Sequence, residues 1–99
     1  MNVKIDFQSI APSGTLESQI RAEAERLCAS YPAVQSCHLT VEERVPRPYE
    51  RKRFHVGLEL RIHDRGLVVN REDEADVLAA VRQAVAAAEK RVRDYGLSR

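Results

Sequence analysis

Two periodicities follow each other in the second half of the chain, and they restrict its fold more than any other feature. From Phe54 to His63, apolar and polar residues alternate strictly, which is typical of a β-strand with one buried face. From Leu78 to Tyr95, apolar residues recur at alternating steps of three and four, which indicates one stripe of an amphipathic helix. The change of period predicts a sheet that a helix covers on one face and that is open on the other.

The first half of the chain predicts two further strands with a helix between them. Apolar and polar residues alternate over residues 3–8 and again over residues 37–42, which indicates strands. We expect the helix to begin at Thr15 as its N-cap and to stop at Tyr31-Pro32, because proline disfavours helical geometry in the residue before it. Within this helix, Arg21 has glutamates four residues before and after it, at a spacing that favours ion pairs.

The third strand and a short fourth strand over residues 67–70 predict a hairpin around Asp64-Arg65-Gly66, with the glycine supplying a positive φ. The last helix is expected to begin after Asn70, so that the acidic residues of segment 72–76 lie in its first turns and suit the helix dipole. The order is β-α-β-β-β-α. We therefore predict one α+β domain over residues 1–99, with a four-stranded mixed sheet and two helices packed on one face.

Composition excludes several classes of protein. No apolar run approaches the ~20 residues of a membrane span, and the N-terminal residues alternate like a strand rather than forming a signal sequence. The chain is thus expected to be cytoplasmic. In a reducing compartment, Cys28 and Cys37 are expected to be small buried hydrophobic residues rather than a disulfide.

The sequence contains no constellation that predicts catalysis. It has no phosphate-binding glycine loop, no nucleophile elbow and no Cys/His set with metal spacing. By strand parity, His38, His55 and His63 face the open side of the sheet, where polar residues are ordinarily solvated. The position of segment 72–76 at a helix N-terminus accounts for its acidity without chemistry. We therefore predict no enzyme, no metal, no cofactor and no small-molecule substrate.

A net charge of +1 conceals two basic regions. Residues 44–71 hold eight basic and three acidic residues, a net +5. Within them, the basic loop, residues 44–53, is offset only by Glu50, and its Tyr49 is suited to stacking on a base. The second region lies in the last predicted helix, α2, and we call its residues Arg82, Lys90, Arg91 and Arg93 the α2 basic group. Each region is explained either by a solvated surface, including side chains that snorkel over the core edge, or by phosphate binding.

Several runs, taken in order, resemble one family, and the resemblance covers nearly the whole chain. These runs are Ser36–Glu42, Phe54–Leu60, Leu67–Glu72, Asp76–Ala84 and Arg91–Tyr95. The family that they resemble is the ribosome hibernation promoting factor and ribosome-associated translation inhibitor family, also described as ribosomal subunit interface proteins, in its short form.

The resemblance implies a fold akin to double-stranded-RNA-binding domains and a function without catalysis. A protein of this kind binds ribosomal RNA of the small ribosomal subunit, in the channel for tRNA and mRNA. It thereby represses translation and preserves idle ribosomes in stress or stationary phase. The family's RNA-binding positions correspond to Arg21 and Arg26 on the first helix and to the α2 basic group, which is Arg82, Lys90, Arg91 and Arg93. The basic loop adds Arg44, Arg47, Tyr49, Arg51, Lys52 and Arg53 as candidates.

A second hypothesis keeps the fold and changes the partner. In it, the chain is a diverged protein-interaction module that forms a homodimer or binds another protein through the open sheet face or the basic loop. Ribosome binding should weaken with salt and with charge reversal of Lys90, Arg91 and Arg93, whereas protein binding should depend on the sheet face.

Overall fold

Strands and helices follow the predicted order in a computed structural model that describes residues 2–11, 13–44, 53–63, 65–73 and 76–94. The predicted α+β class is confirmed. The elements are β1 (Asn2–Gln8), α1 (Gly14–Ser30), β2 (Val34–Arg44), β3 (Arg53–Ile62), β4 (Arg65–Asp73) and α2 (Val77–Asp94).

The strands form one mixed sheet in the order β1-β2-β3-β4. β1 lies parallel to β2, because α1 carries the chain back across the sheet, while β2–β3 and β3–β4 are antiparallel. α1 packs on β1 and β2, α2 packs on β3 and β4, and the helices contact each other.

One hydrophobic core lies between the sheet and the helices. The inward residues of the predicted alternation are buried in β2 and β3, except that Phe54 is only partly buried, and each helix contributes its own stripe. Both cysteines are free and buried, as predicted. Burial, followed by the nearby Cys28, raises the pKa of the Cys37 thiol to about 12, so this thiol stays protonated at neutral pH. No helix among the described residues is long and apolar enough to span a membrane.

The prediction that α2 begins after Asn70 is wrong. Glu72 and Asp73 continue β4, paired in register with His55 and Phe54, and α2 begins at Val77. Backbone pairing with β3 extends the strand beyond its apolar part. The acidic residue that serves the helix is Asp76, whose Oδ1 accepts a hydrogen bond from the backbone N–H of Leu78 at 2.9 Å, as an N-cap does.

The predicted hairpin turn is displaced. Gly66 lies inside β4 opposite Arg61, and the register Ile62↔Arg65 leaves only two residues between the strands. The positive φ is found at His63 (55°), in the left-handed region that histidine enters more readily than most residues. His63 therefore lies in the turn rather than on the strand, and Asp64 lies outside the described residues.

The cap of α1 is Ser13 rather than Thr15. Ser13 has extended backbone angles, and its hydroxyl accepts a hydrogen bond from the backbone N–H of Leu16 at 3.3 Å. Its carbonyl accepts the N–H of Glu17 at 2.9 Å. The helix therefore begins at Gly14, one residue before Thr15. The predicted end of the helix at Tyr31 is confirmed.

Candidate nucleic-acid interface

Two of the six candidate residues of the basic loop lie among the described residues, and both belong to strands. Arg44 and Arg53 are not loop residues, because backbone pairing between β2 and β3 continues until these two face each other in register. Arg44 donates a hydrogen bond from Nε to the Glu42 carboxylate. The other four candidates lie outside the described residues, and they are Arg47, Tyr49, Arg51 and Lys52.

Arg21 fastens α1 to the edge of the sheet. Its Nη1 donates to the backbone carbonyl of Val3 in β1 at 3.2 Å, and its Nη2 donates to Glu17 Oε1 at 3.4 Å. The expected pair with Glu17 is confirmed, whereas the guanidinium turns to the Val3 carbonyl instead of reaching Glu25. Both terminal nitrogens of this arginine are therefore engaged within the fold.

Arg26 joins the two helices. Its Nη2 donates to Glu23 Oε2 at 3.0 Å, one turn away in α1, and its Nη1 donates to Glu89 Oε1 of α2 at 3.2 Å. The other oxygen of Glu23 accepts from Nε of Arg82 in α2 at 3.2 Å. We call these four side chains the interhelical ion network.

The charges of the network reinforce one another. Burial of Glu23 opposes ionisation, but the hydrogen bonds and positive charges of Arg26 and Arg82 outweigh it and lower the pKa of this carboxyl. The hydrogen bond to Glu23, together with the charge of Glu89, raises the pKa of Arg26. Both shifts favour the charged forms of Glu23 and Arg26, and the network pairs two basic with two acidic side chains.

The α2 basic group lies on the exposed side of the last helix. Arg91 Nη1 donates to the Val68 carbonyl of β4 at 2.8 Å, and Arg93 Nη1 donates to the Tyr31 hydroxyl at 3.2 Å. Lys90 is exposed and makes no hydrogen bond or ion pair within the described part of the chain. Toward the described residues, Arg82 is engaged only through Nε. Each member of the group thus keeps donor groups that no described residue accepts.

On the open sheet face, the structure places His38 between two carboxylates. Its Nε2 lies 2.7 Å from Asp6 Oδ2, and its Nδ1 lies 3.9 Å from Glu59 Oε2. The alternation of residues along the strand predicted that His38 lies on this face. The strand register that brings Asp6 of β1 and Glu59 of β3 to it could not be predicted from the sequence. Within the described ranges, no set of three or more His, Cys, Asp or Glu side chains is arranged to hold a metal ion.

Known structures share this fold over almost their whole length. The chain is similar to a ribosomal subunit interface protein from Coxiella burnetii, with a TM-score of 0.78, 13% identity and coverage of 97% of this chain and 98% of that chain. It is also similar to the N-terminal domain of Protein Y from Thermus thermophilus, with a TM-score of 0.77, 16% identity and coverage of 96% and 99%.

Sequence comparison gives the family. No curated protein matches the chain, but a family model described as "Sigma 54 modulation protein / S30EA ribosomal protein" matches residues 3–96. The match spans the sheet, both helices and the basic group that the resemblance singled out. The chain therefore belongs to the Sigma 54 modulation protein / S30EA ribosomal protein family.

Proposed function

We propose that this chain is a cytoplasmic, non-enzymatic protein of one domain that binds ribosomal RNA of the small ribosomal subunit. By occupying the channel for tRNA and mRNA, it represses translation and preserves idle ribosomes in stress or stationary phase. The observation that carries the proposal is the family match over residues 3–96. The likeness of the fold to a ribosomal subunit interface protein supports it.

The charge of the exposed helix surface also supports RNA binding. α2 holds four basic and two acidic residues, and all four basic residues are exposed. Arginine and lysine that neutralise phosphates supply most of the nonspecific affinity of a protein for nucleic acid, and this contribution falls as salt rises. A near-neutral chain with a locally basic helix is therefore expected to bind RNA through that helix.

The experiment is cosedimentation of the purified protein with small ribosomal subunits, at about 50 mM and 200 mM salt. We expect pelleting at the lower concentration and clear loss at the higher one. The double variant Lys90→Glu/Arg93→Glu should pellet poorly at both. Its matched control is Lys4→Glu/Arg61→Glu, which changes the net charge equally at two exposed sites on the strands and should behave like the wild type.

The protein-interaction hypothesis predicts the opposite result. The open face carries Val68, a large hydrophobic residue that is 49% exposed, beside a shallow hollow lined by Ser36, Glu59 and Arg61. If this face is the functional surface, the control variant loses its partner and the α2 variant does not. Absence of pelleting at low salt, with a dimer in light scattering, would replace ribosome binding by homodimerisation through the sheet.

A further inference from the structure

We infer that the two helices divide the work at this interface: Arg82 and Lys90 of α2 bind phosphate groups, whereas Arg21 and Arg26 of α1 hold the fold together and make no RNA contact. Glu23 is the positioning residue that separates the two roles. The inference rests on the proposed function and narrows the set of residues that the family resemblance assigns to RNA.

The first argument concerns the donors that each arginine still has to offer. A guanidinium has five N–H groups, of which four are on the two terminal nitrogens, and phosphate is bound most strongly when two N–H groups point at it in parallel. Arg26 has both terminal nitrogens on carboxylates, and Arg21 has one on a carboxylate and one on a carbonyl. Neither residue has a terminal nitrogen with both N–H groups free, so a phosphate bound by both nitrogens would share them with internal partners.

Arg82 is held in the opposite way. Its only hydrogen bond to the described residues is made by Nε, which donates to Glu23 Oε1. This contact restrains the long side chain and leaves both terminal nitrogens available. Since the Arg82 side chain is 62% exposed, it can bind a phosphate without giving up Glu23, and part of the entropy cost of ordering it has already been met by the fold.

The second argument is electrostatic. Arg26 lies between the carboxylates of Glu23 and Glu89, so an approaching phosphate meets negative charge on both sides of it. Lys90 has no carboxylate partner among the described residues, and it follows Arg82 by eight residues, about 12 Å along the helix axis. The field that attracts phosphate is therefore strongest along α2.

Three single variants test the division, because each removes one positive charge: Arg26→Gln, Arg82→Gln and Lys90→Gln. The measurement is the slope of log affinity against log salt for small ribosomal subunits. Each lost phosphate contact lowers this slope by about 0.7 to 0.9, so we expect that change for Arg82→Gln and Lys90→Gln. Arg26→Gln should keep the wild-type slope and lower the thermal unfolding midpoint instead.

The outcomes separate this inference from the proposed function. If the wild type binds subunits and Arg26→Gln loses as much slope as Arg82→Gln, the division is wrong and ribosome binding stands. If the wild type binds no subunits, the proposed function fails. The division of roles is then tested by the elution of the variants from a heparin column. There, earlier elution of Arg82→Gln than of Arg26→Gln supports it, and equal elution overturns it.

A measurement on the wild type covers the case in which Arg26→Gln does not fold. Arginine side-chain Nε–Hε signals can be followed by NMR while a short single-stranded RNA is added. We expect the Arg82 signal to shift with RNA concentration and the signals of Arg21 and Arg26 to stay in place. A shift of the Arg26 signal as large as that of Arg82 would overturn the inference.

Discussion

The two helices lie side by side on the same sheet, yet their basic residues do different things. α1 holds two arginines and three glutamates, and each arginine is bonded to a glutamate and to a second element of the fold. α2 holds four basic and two acidic residues, and its basic side chains make at most one contact each within the described residues. The net charge is therefore −1 on one helix and +2 on the other.

This difference shows that the neighbours of an arginine decide its role. In α1, each arginine donates one N–H from each terminal nitrogen to a carboxylate or a carbonyl, and so connects two elements of the fold. In α2, the contacts go to a carbonyl, a hydroxyl or a shared carboxylate, which leaves charge and donors for a ligand. α1 is thus expected to govern stability, and α2 is expected to govern RNA binding.

The largest effect is expected from the core side of α1. Leu27 is fully buried beneath the helix, and Leu27→Ala should lower the free energy of unfolding by about 2 to 5 kcal/mol, because it removes buried methyl groups and leaves a cavity. The measurement is urea unfolding. Where the variant is still folded, its salt slope for subunit binding should equal that of the wild type.

Val68→Ala is the control for this prediction. Val68 is 49% exposed on the open face, and its truncation should change the free energy of unfolding by less than about 0.5 kcal/mol. Equal losses for the two variants would contradict the placement of the core between the helices and the sheet.

Side-chain periodicity was sufficient for the fold because burial on a sheet or a helix imposes a period. The alternation around Val56 and Leu58 correctly predicted the inner face, since a strand that packs on one side must alternate. The boundary near Asp73 was missed because acidic residues suit the start of a helix and an exposed strand end equally well. Only the pairing of Asp73 with Phe54 decides between them.

The interface was less predictable for a different physical reason. The sequence places arginines on both helices, and local spacing correctly predicted the pair Glu17–Arg21. The contacts that decide roles are long-range: Arg26 meets Glu89 across 63 residues, and Arg82 meets Glu23 across 59. Helical periodicity defines which side is exposed, but it does not define which residue of one helix lies opposite which residue of the next.

The next largest effect on stability is expected from the N-cap residues, since both helices begin with a side-chain oxygen that accepts a backbone N–H. Ser13→Ala removes the hydroxyl that accepts from Leu16 and should cost about 1 kcal/mol. Asp76→Ala should cost a similar amount in α2, because its carboxylate accepts from Leu78. Thermal unfolding measures both. If the comparison holds, Ser13→Ala leaves subunit affinity unchanged, while fraying of α2 in Asp76→Ala weakens it.

An added negative charge tests the two helix surfaces directly. Ala22 of α1 and Ala86 of α2 are both exposed, and Ala86 lies between Arg82 and Lys90 at four-residue spacing. A like charge next to a bound phosphate costs about 1 kcal/mol in water, so Ala86→Glu should weaken subunit binding about fivefold. Ala22→Glu should leave it unchanged. Equal weakening by both would mean that RNA lies across both helices.

The smallest effect is expected where the helices meet, at Glu23. Because the pKa of this carboxyl is lowered in the folded chain, its ionised form stabilises the fold. That contribution is fully present above the ordinary pKa of glutamate, about 4.3, and is lost as the pH falls through the lower folded value. Its arginine partners are 57% and 62% exposed, so solvent screening limits it to about 0.2 to 1 kcal/mol.

Glu23→Gln should therefore lower the free energy of unfolding by this amount at neutral pH, and the difference from wild type should shrink in acid. Urea unfolding at neutral pH and at about pH 3, below the ordinary glutamate pKa, measures it. Glu25→Gln is the matched control, since Glu25 is an exposed glutamate of the same helix without an ion pair in the described residues; it should show no such loss. A pH-independent difference for Glu23→Gln would mean that the network does not hold the helices together, and Arg26 would then be as free for RNA as Arg82.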